Sequence, residues 1–459
     1  MSIHNDLAPT PPMGWNSWDC FGLTLHEHEL RRQAEFMAAE LHRHGWEYLV
    51  IDANWYEHSP QSTYFGAHYD VALDEYGRLA PTPDRFPSAA GGAGFKPLAD
   101  YVHSLGLKFG FHIFRGIPRR AVREDLPIFG GGGTTAREVA DKQAACSWCG
   151  VCWGLDVSRP GGQAYYDSLM QLYAQWGVDF IKADDMCNPY RAAEIEALSA
   201  ARDTYAPELV LSFSASVKDA DPQTRRHVVE HGEMWRITRD FWDEGPQLRE
   251  QFRHVRVWEG ASGPGHWADA DMLPIGELSI RHTAGGEHRT SRLTEPELRT
   301  MLTLWGITQS PLMIGGRLTT LSDRDLSLLT NRELIDINQH GEAARLLFDH
   351  GRVVAWTNRH RGTGDVFLAL FNTHTDGDAS VDLAWADLGL EDVTLATEAW
   401  TRDGVSARDG RLRLTLPAAD ARLIRLATAR VDARIPARRR RIDQPAAPSK
   451  DATYLRVDS

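Results

Sequence analysis

The stretch FKPLADYVHSLG, residues 95–106, carries apolar side chains at helical spacing and closes on a glycine, and LKFGFHIF follows it as a short apolar run. That pattern predicts a helix feeding a buried strand. It recurs at GGQAYYDSLMQLYAQWG, residues 161–177, which leads into VDFIKAD. Thr294 and Glu297 form a capping box with Pro296 in the first turn. A helix through Trp305 is therefore predicted, running into the strand candidate SPLMIGG at 310–316. Further strand candidates end at Trp15–Trp18, Ile51–Asn54, Leu211–Ser214 and Trp235–Ile237.

Strands alternating with helices from about residue 10 to 340 imply a parallel sheet, either an eightfold barrel or a doubly wound open sheet. No G-x-G-x-x-G follows the first strand and no P-loop is present, which counts against an open-sheet nucleotide binder. Trp18, Asp52, His112, Asp184, Ser214 and Asp240 all fall at or just past predicted strand ends. In an eightfold barrel those ends share one face. The expected fold is thus α/β, a (β/α)8 TIM barrel over residues 1–342. From about 345 the chain changes to short alternating runs, RVVAWTNRH, DVFLALFNTH, VTLATEAWT, RLRLTLP and ARLIRLA, separated by turn residues. These predict a C-terminal antiparallel β-sandwich domain over 343–428. Residues 429–459, with Arg438–Arg441 in a row, read as an extended or disordered basic tail of the solvated kind.

Length and charge narrow the function. A chain of 459 residues accommodates one large and one smaller domain. A net charge of −13 argues against a nucleic-acid partner. No apolar run reaches membrane-spanning length and the start, MSIHNDLAPT, lacks a signal-peptide core, so no membrane partner and a cytoplasmic location are expected. Fifteen Trp supply platforms for the flat faces of sugars or bases. Five Cys, an odd number, fit reduced thiols. In CSWCGVC the thiols of Cys146, Cys149 and Cys152 read as a semi-buried loop rather than a metal or redox site. A structural zinc needs four ligands, and Cys187 is the only other candidate nearby.

The carboxylates carry the chemistry. Acetal cleavage requires two carboxyl groups flanking one bond, one attacking the sugar and one protonating the leaving oxygen. Lys182 and Asp184 share a strand face, which places an ammonium beside a carboxylate and suits a nucleophile. Asp240, in MWRITRD, sits on another strand end. As the acid it must hold a proton near neutral pH, which the negative charge of Asp184 would favour.

With MGWNSW (13–18), YLVIDANW (48–55), GLKFGFH (106–112), GVDFIKADD (177–185), WRITRD (235–240), GHWADADML (265–273), SPLMIGG (310–316) and LTNRELIDINQ (329–339), the chain resembles glycoside hydrolase family 27. The resemblance covers roughly residues 9–345. It implies double displacement with retention, no cofactor and no catalytic metal, and an oligosaccharide or glycoside partner; oligomeric state stays open. It places the nucleophile on Asp184, the acid/base on Asp240, and sugar-hydroxyl binding on Lys182 and Arg236. Trp18 falls on the aromatic wall, Asp52 on a hydroxyl-binding carboxylate, and Asp269 and Asp271 on a segment bordering the pocket, where they fix the loop or contact the ligand; Asp271, His112 and Ser214 are the further expected substrate-binding residues.

Four departures bear on the substrate. Family α-galactosidases clamp O4 and O6 of galactose with adjacent Asp residues, and here the pair is Asp52-Ala53. Asn54 and Glu57 are candidates to compensate. A family tyrosine is His112, and the Glu near the sugar O2 is Ser214, similar to α-N-acetylgalactosaminidases. A disulfide-forming Cys after the nucleophile is Met186. Arg115, Arg119 and Arg120 are expected at the cleft mouth, as a surface basic loop or as binders of an acidic or hydroxyl-rich aglycone. The expected activity is exo-hydrolysis of a terminal α-D-galactoside-like sugar. The alternatives are an α-N-acetylgalactosaminide, a β-L-arabinopyranoside or an isomaltose-type glucoside. A sugar-binding scaffold with a decayed site and a barrel binding phosphorylated ligands are the readings outside this enzyme class.

Overall fold

The computed structural model describes residues 7–58, 71–217, 221–282, 285–390, 393–406 and 410–428. The predicted basic tail lies outside them. Eight short strands run in parallel: β1 (Met13–Asn16), β2 (Tyr48–Ile51), β3 (Lys108–Phe114), β4 (Phe180–Asp184), β5 (Val210–Phe213), β6 (Met234–Arg236), β7 (Trp267–Asp269) and β8 (Leu312–Ile314). Each pairs with its neighbours in chain order, and β8 pairs back onto β1. A parallel bridge from Leu273, just past β7, to Ile314 closes the ring into a (β/α)8 barrel.

Period-2 alternation sorts the strand residues. Tyr48, Val50, Phe180, Val210, Met234, Trp267 and Met313 form an apolar cluster of their own that fills the barrel interior. The alternate residues, such as Trp15, Leu49, Phe109, Ile181, Leu211 and Trp235, join the large cluster beneath the helices. Close strand approach demands small residues inside: a Cβ on Gly110 would lie 2.5 Å from the Phe180 carbonyl oxygen.

The outer layer comprises α1 (Glu27–Phe36), α2 (Lys96–Ser104), α3 (Gly162–Trp176), α4 (Ala192–Tyr205), α5 (Pro222–His231), α6 (Gly245–Val257), α7 (Glu295–Thr308), α8 (Asp323–Leu329) and α9 (Arg332–His340). Helix α3 stops on Gly177 at φ 73°, and α7 opens on the Thr294–Glu297 capping box. Among the described residues no helix is long and apolar enough to cross a membrane.

The C-terminal domain has β9 (Arg345–Asp349), β10 (Val353–Arg359), β11 (Val366–Asn372), β12 (Ala379–Ala384), β13 (Val393–Glu398), β14 (Arg411–Leu416) and β15 (Ala421–Thr428). Five form the antiparallel sheet β9-β10-β11-β15-β13, and β12 pairs with β14 across it. Strands β9 and β12 were not among the predicted runs, because β9 has exposed polar ends and β12 alternates only over six residues. Strand β11 is buried on both faces. Phe367, Ala369 and Phe371 join the core shared with the barrel, and Val366, Leu368 and Leu370 the domain's own core. The Phe371 ring meets Phe252 of α6 edge-on at 5.0 Å, and Arg299 of α7 forks onto both Asp420 oxygens at 3.0 and 3.1 Å.

Truncating Phe371 to Ala removes that contact and leaves a cavity at the domain junction. The expected loss is about 3–5 kcal/mol, measured by urea denaturation followed through tryptophan fluorescence. A loss below about 1 kcal/mol would mean that the two domains do not share a packed core.

Candidate active site

Strand β4 carries the centre of the site. Phe180, Lys182 and Asp184 alternate on one face, so the apolar interior gives way within two residues to a cation and then a carboxylate. Lys182 Nζ donates to Asp52 Oδ2 at 2.8 Å. Asn16 Nδ2 donates to the same oxygen at 2.9 Å, and the Ala53 N–H to Oδ1 at 2.8 Å. Burial opposes the charge on Asp52, but Lys182 and then His112 outweigh it and hold the carboxyl well below the usual range. Lys182 in turn is held protonated against burial by Asp52 and Asp184. The ammonium expected to serve Asp184 is thus shared, with its hydrogen bond on Asp52.

The direct partner of Asp184 is His112, whose Nε2 lies 3.1 Å from Oδ2. The Asp185 N–H donates to Oδ1 at 2.7 Å. Burial raises the Asp184 pKa, but the bond and charge of His112, the charge of Lys182 and the Asp185 N–H together bring it below the ordinary carboxylate value. The residue standing for the family tyrosine is therefore what fixes the candidate nucleophile. Asp185, at φ 60°, turns away to Arg115 at 2.8 Å. Burial pushes its carboxyl up to about 6 against the pull of Arg115, with the charge of Asp184 adding to the rise.

A second cation organises the other side. Arg236, at the end of β6, holds Asp240 Oδ1 and Asp271 Oδ1, each at 2.8 Å. The Asp240 side chain is 62% exposed, at the open rim of the site. Its charged neighbour is thus a guanidinium. Asp271 also accepts the Phe241 N–H at 2.7 Å. Burial pushes both Asp269 and Asp271 upward. Asp271 has the guanidinium, so the retained proton belongs on Asp269, whose carboxyl is raised to about 7 by burial and by Asp271. Asp269 Oδ1 accepts the Asp271 N–H at 2.9 Å, so the two acids are linked within the segment they share.

Ser214 is buried at the end of β5. Its N–H donates to Ala183 O at 2.9 Å and its carbonyl accepts the Met186 N–H at 2.8 Å, bracing the segment that carries Asp184. Trp18 is half-buried on the short helix Trp18–Phe21 after β1, its N–H bonded to Asn16 Oδ1 at 2.8 Å.

The sequence reading missed Asp19. It is 1% exposed, its Oδ2 has no hydrogen-bond partner among the described residues, and a Cβ on Gly315 would lie 1.9 Å from that oxygen. Burial first, then the charges of Asp271 and Asp240, raise its carboxyl well above the usual range. An acidic residue inside the otherwise apolar WDCFGL was the available signal.

Of the three arginines expected at the cleft mouth, Arg115 is drawn inward. Arg115 is buried between Asp185 and Glu194. The Arg119 guanidinium stacks on Trp153 at 3.9 Å, and Arg120 pairs with Glu124 and the Val71 carbonyl. Asn54 and Glu57 are bonded to each other. Cys146, Cys149, Cys152 and Cys187 are buried free thiols; burial and then the charge of Asp185 push Cys146 up to about 12. A separate cleft between α6 and the β domain, lined by Arg249, Arg253, Arg256 and Asp349, contains none of the predicted site residues.

Because Asp269 has its pKa raised from the usual 3.8 to about 7, the native state keeps a proton that the unfolded chain releases. Its contribution to stability is therefore intact below about pH 4 and falls as pH rises to 7, by up to about 4 kcal/mol. Asp269→Asn is expected to raise the melting temperature at pH 8 and leave it unchanged at pH 4. An equal shift at both pH values would remove the proton from Asp269.

Comparison with known proteins fits this geometry. The family profile of alpha galactosidase A matches residues 10–121 and 150–340, more than half of the chain. The profile of the alpha galactosidase C-terminal beta sandwich domain matches 350–426. The chain is 42% identical to a β-L-arabinopyranosidase of Geobacillus stearothermophilus, whose crystal structure superposes with a TM-score of 0.90 over 94% of this chain and 99% of that one. It is 27% identical to the α-galactosidase of Coffea arabica over 92% of this chain and 94% of that one. It is also 27% identical to the α-N-acetylgalactosaminidase of Gallus gallus, over 84% and 85% of the two chains. An eightfold barrel whose strand ends gather paired acids around Lys182 and Arg236, followed by this β domain, is the architecture of a glycoside hydrolase, and the chain belongs to glycoside hydrolase family 27, the α-galactosidase family.

Proposed function

We propose that the chain is a retaining exo-glycosidase that removes terminal β-L-arabinopyranosyl units. Asp184 attacks the anomeric carbon while Asp240 gives its proton to the departing glycosidic oxygen. Asp240 then takes a proton from water, which attacks the glycosyl ester and releases Asp184. The low pKa of Asp184, set by His112, Lys182 and the Asp185 N–H against burial, supports it as the ionised nucleophile. Exposure of Asp240 at the rim suits exchange of protons with leaving group and water.

The observation that carries the sugar assignment is Ala53. Asp52 is fixed by Asn16 and Lys182 as a hydroxyl acceptor, while the next residue offers only a buried methyl group. β-L-Arabinopyranose has the ring configuration of α-D-galactopyranose without the C6 hydroxymethyl group, so it needs no acceptor there. The similarity to the Geobacillus β-L-arabinopyranosidase supports the same reading. Ser214 favours a second one, in which the space beside O2 takes an acetamido group.

A panel of nitrophenyl glycosides decides between them. The arabinopyranoside is expected to have the highest kcat/KM. A stronger preference for the α-galactoside or the α-N-acetylgalactosaminide would overturn the assignment. Restoring the acceptor with Ala53→Asp should move the galactoside-to-arabinopyranoside ratio toward galactose by roughly 10- to 100-fold, the worth of one charge-assisted hydrogen bond.

The acids separate by leaving group. Asp184→Asn should reduce kcat by at least about a thousandfold on every substrate. Asp240→Asn should spare nitrophenyl substrates, whose leaving groups need little protonation, far more than alkyl glycosides. Full activity in Asp184→Asn would move the nucleophile elsewhere.

A further inference from the structure

On α4 and α5, in the outer layer of the barrel, three metal-ligating side chains converge. Glu196 stands on α4, and His227 and His231 stand one turn apart on the adjacent α5. Ligand atoms of the three residues all lie within 4.8 Å of one another. His227 Nε2 is 3.0 Å from Glu196 Oε1, and the two imidazole rings are 4.5 Å apart. The i, i+4 spacing puts both rings on one side of α5, facing the carboxylate across the helix pair.

We propose that Glu196, His227 and His231 form a three-ligand site for a zinc-class divalent cation that pins α5 to α4. The donor set, two imidazoles and one carboxylate, is one that zinc accepts, with a fourth position left for water. Ligands about 2.0–2.2 Å from a tetrahedral zinc lie roughly 3.3 Å apart. The His227–Glu196 pair, at 3.0 Å, stands close to that separation, and His231, with all ligand atoms within 4.8 Å of one another, must close by at most roughly 1.5 Å, within the reach of a side-chain rotation. Tyr190 supplies the orienting contact that such sites use. Its Oη lies 2.7 Å from His227 Nδ1. As the side chains stand, Nε2–H donates to Glu196 and Nδ1 accepts from the hydroxyl; with a cation on Nε2 the ring takes its other tautomer, and Nδ1–H donates to the Tyr190 oxygen.

The location gives the site a structural task. Tyr190 belongs to the loop between β4 and α4, just after Asp184–Met186, and pairs with Cys187. A cation on His227 thus ties α4, α5 and the loop that follows the candidate nucleophile. It takes no part in bond cleavage, because none of its ligands belongs to the set around Lys182 and Arg236.

The test is a calorimetric titration of the full-length chain with Zn²⁺ alone, after treatment with chelator. The expected result is one equivalent bound per chain and a melting temperature that rises with zinc. His231→Ala should weaken binding at least about 100-fold and remove the thermal shift, and Tyr190→Phe should weaken it about 10-fold. Glu196→Gln acts at a side chain that is 58% exposed, so it tests the site without disturbing the core. Circular dichroism and glycosidase activity confirm that each variant is folded. With Co²⁺ in place of zinc, the visible bands should appear without a sulfur-to-metal charge-transfer band, which separates this site from the buried thiols. A sulfur band, or zinc binding unchanged by His231→Ala and Glu196→Gln, overturns the proposal.

Discussion

Negative charge crowded at one end of a barrel is the constraint on which the rest of this structure depends. Asp19, Asp52, Asp184, Asp240, Asp269 and Asp271 interact with one another around Lys182 and Arg236. Buried like charges at this density would drive the strand ends apart. Two devices prevent that. Some acids take a cation, as Asp52 does from Lys182 and Asp271 from Arg236. In others burial raises the pKa and favours the neutral form, well above the usual range at Asp19 and to about 7 at Asp269.

That division also distributes the chemical roles. In the proposed mechanism Asp184 is the nucleophile, its pKa brought down by His112 and Lys182 against its burial, and Asp240 is the acid, exposed at the rim. The apolar interior formed by Phe180, Val210, Met234 and Trp267 supports this layer from below. It denies water to the underside of Lys182 and so strengthens the Lys182–Asp52 pair. Packing, electrostatics and reactivity are therefore set by the same few strand positions.

Much of this was legible along the chain. The alternation in FIKAD announced a buried strand ending in charge, and the helix–strand rhythm announced the barrel. The partners were not legible. Lys182 stood two residues from Asp184 in sequence, yet its hydrogen bond goes to Asp52, brought close by the closed ring of strands. Arg115 read as a cation of the cleft mouth and lies buried between Asp185 and Glu194. Asp19 carried no motif of its own, since its unpartnered oxygen faces a glycine almost three hundred residues later.

The sequence by itself determined the family, the barrel with its β domain, and which acids stand at strand ends. Those depend on local periodicity and on motifs a few residues long. Only the tertiary structure decided which acid is charged, which keeps its proton and which helices bring Glu196, His227 and His231 together. A carboxyl's charge depends on burial and on neighbours within a few ångströms, and in a closed barrel those neighbours come from every strand.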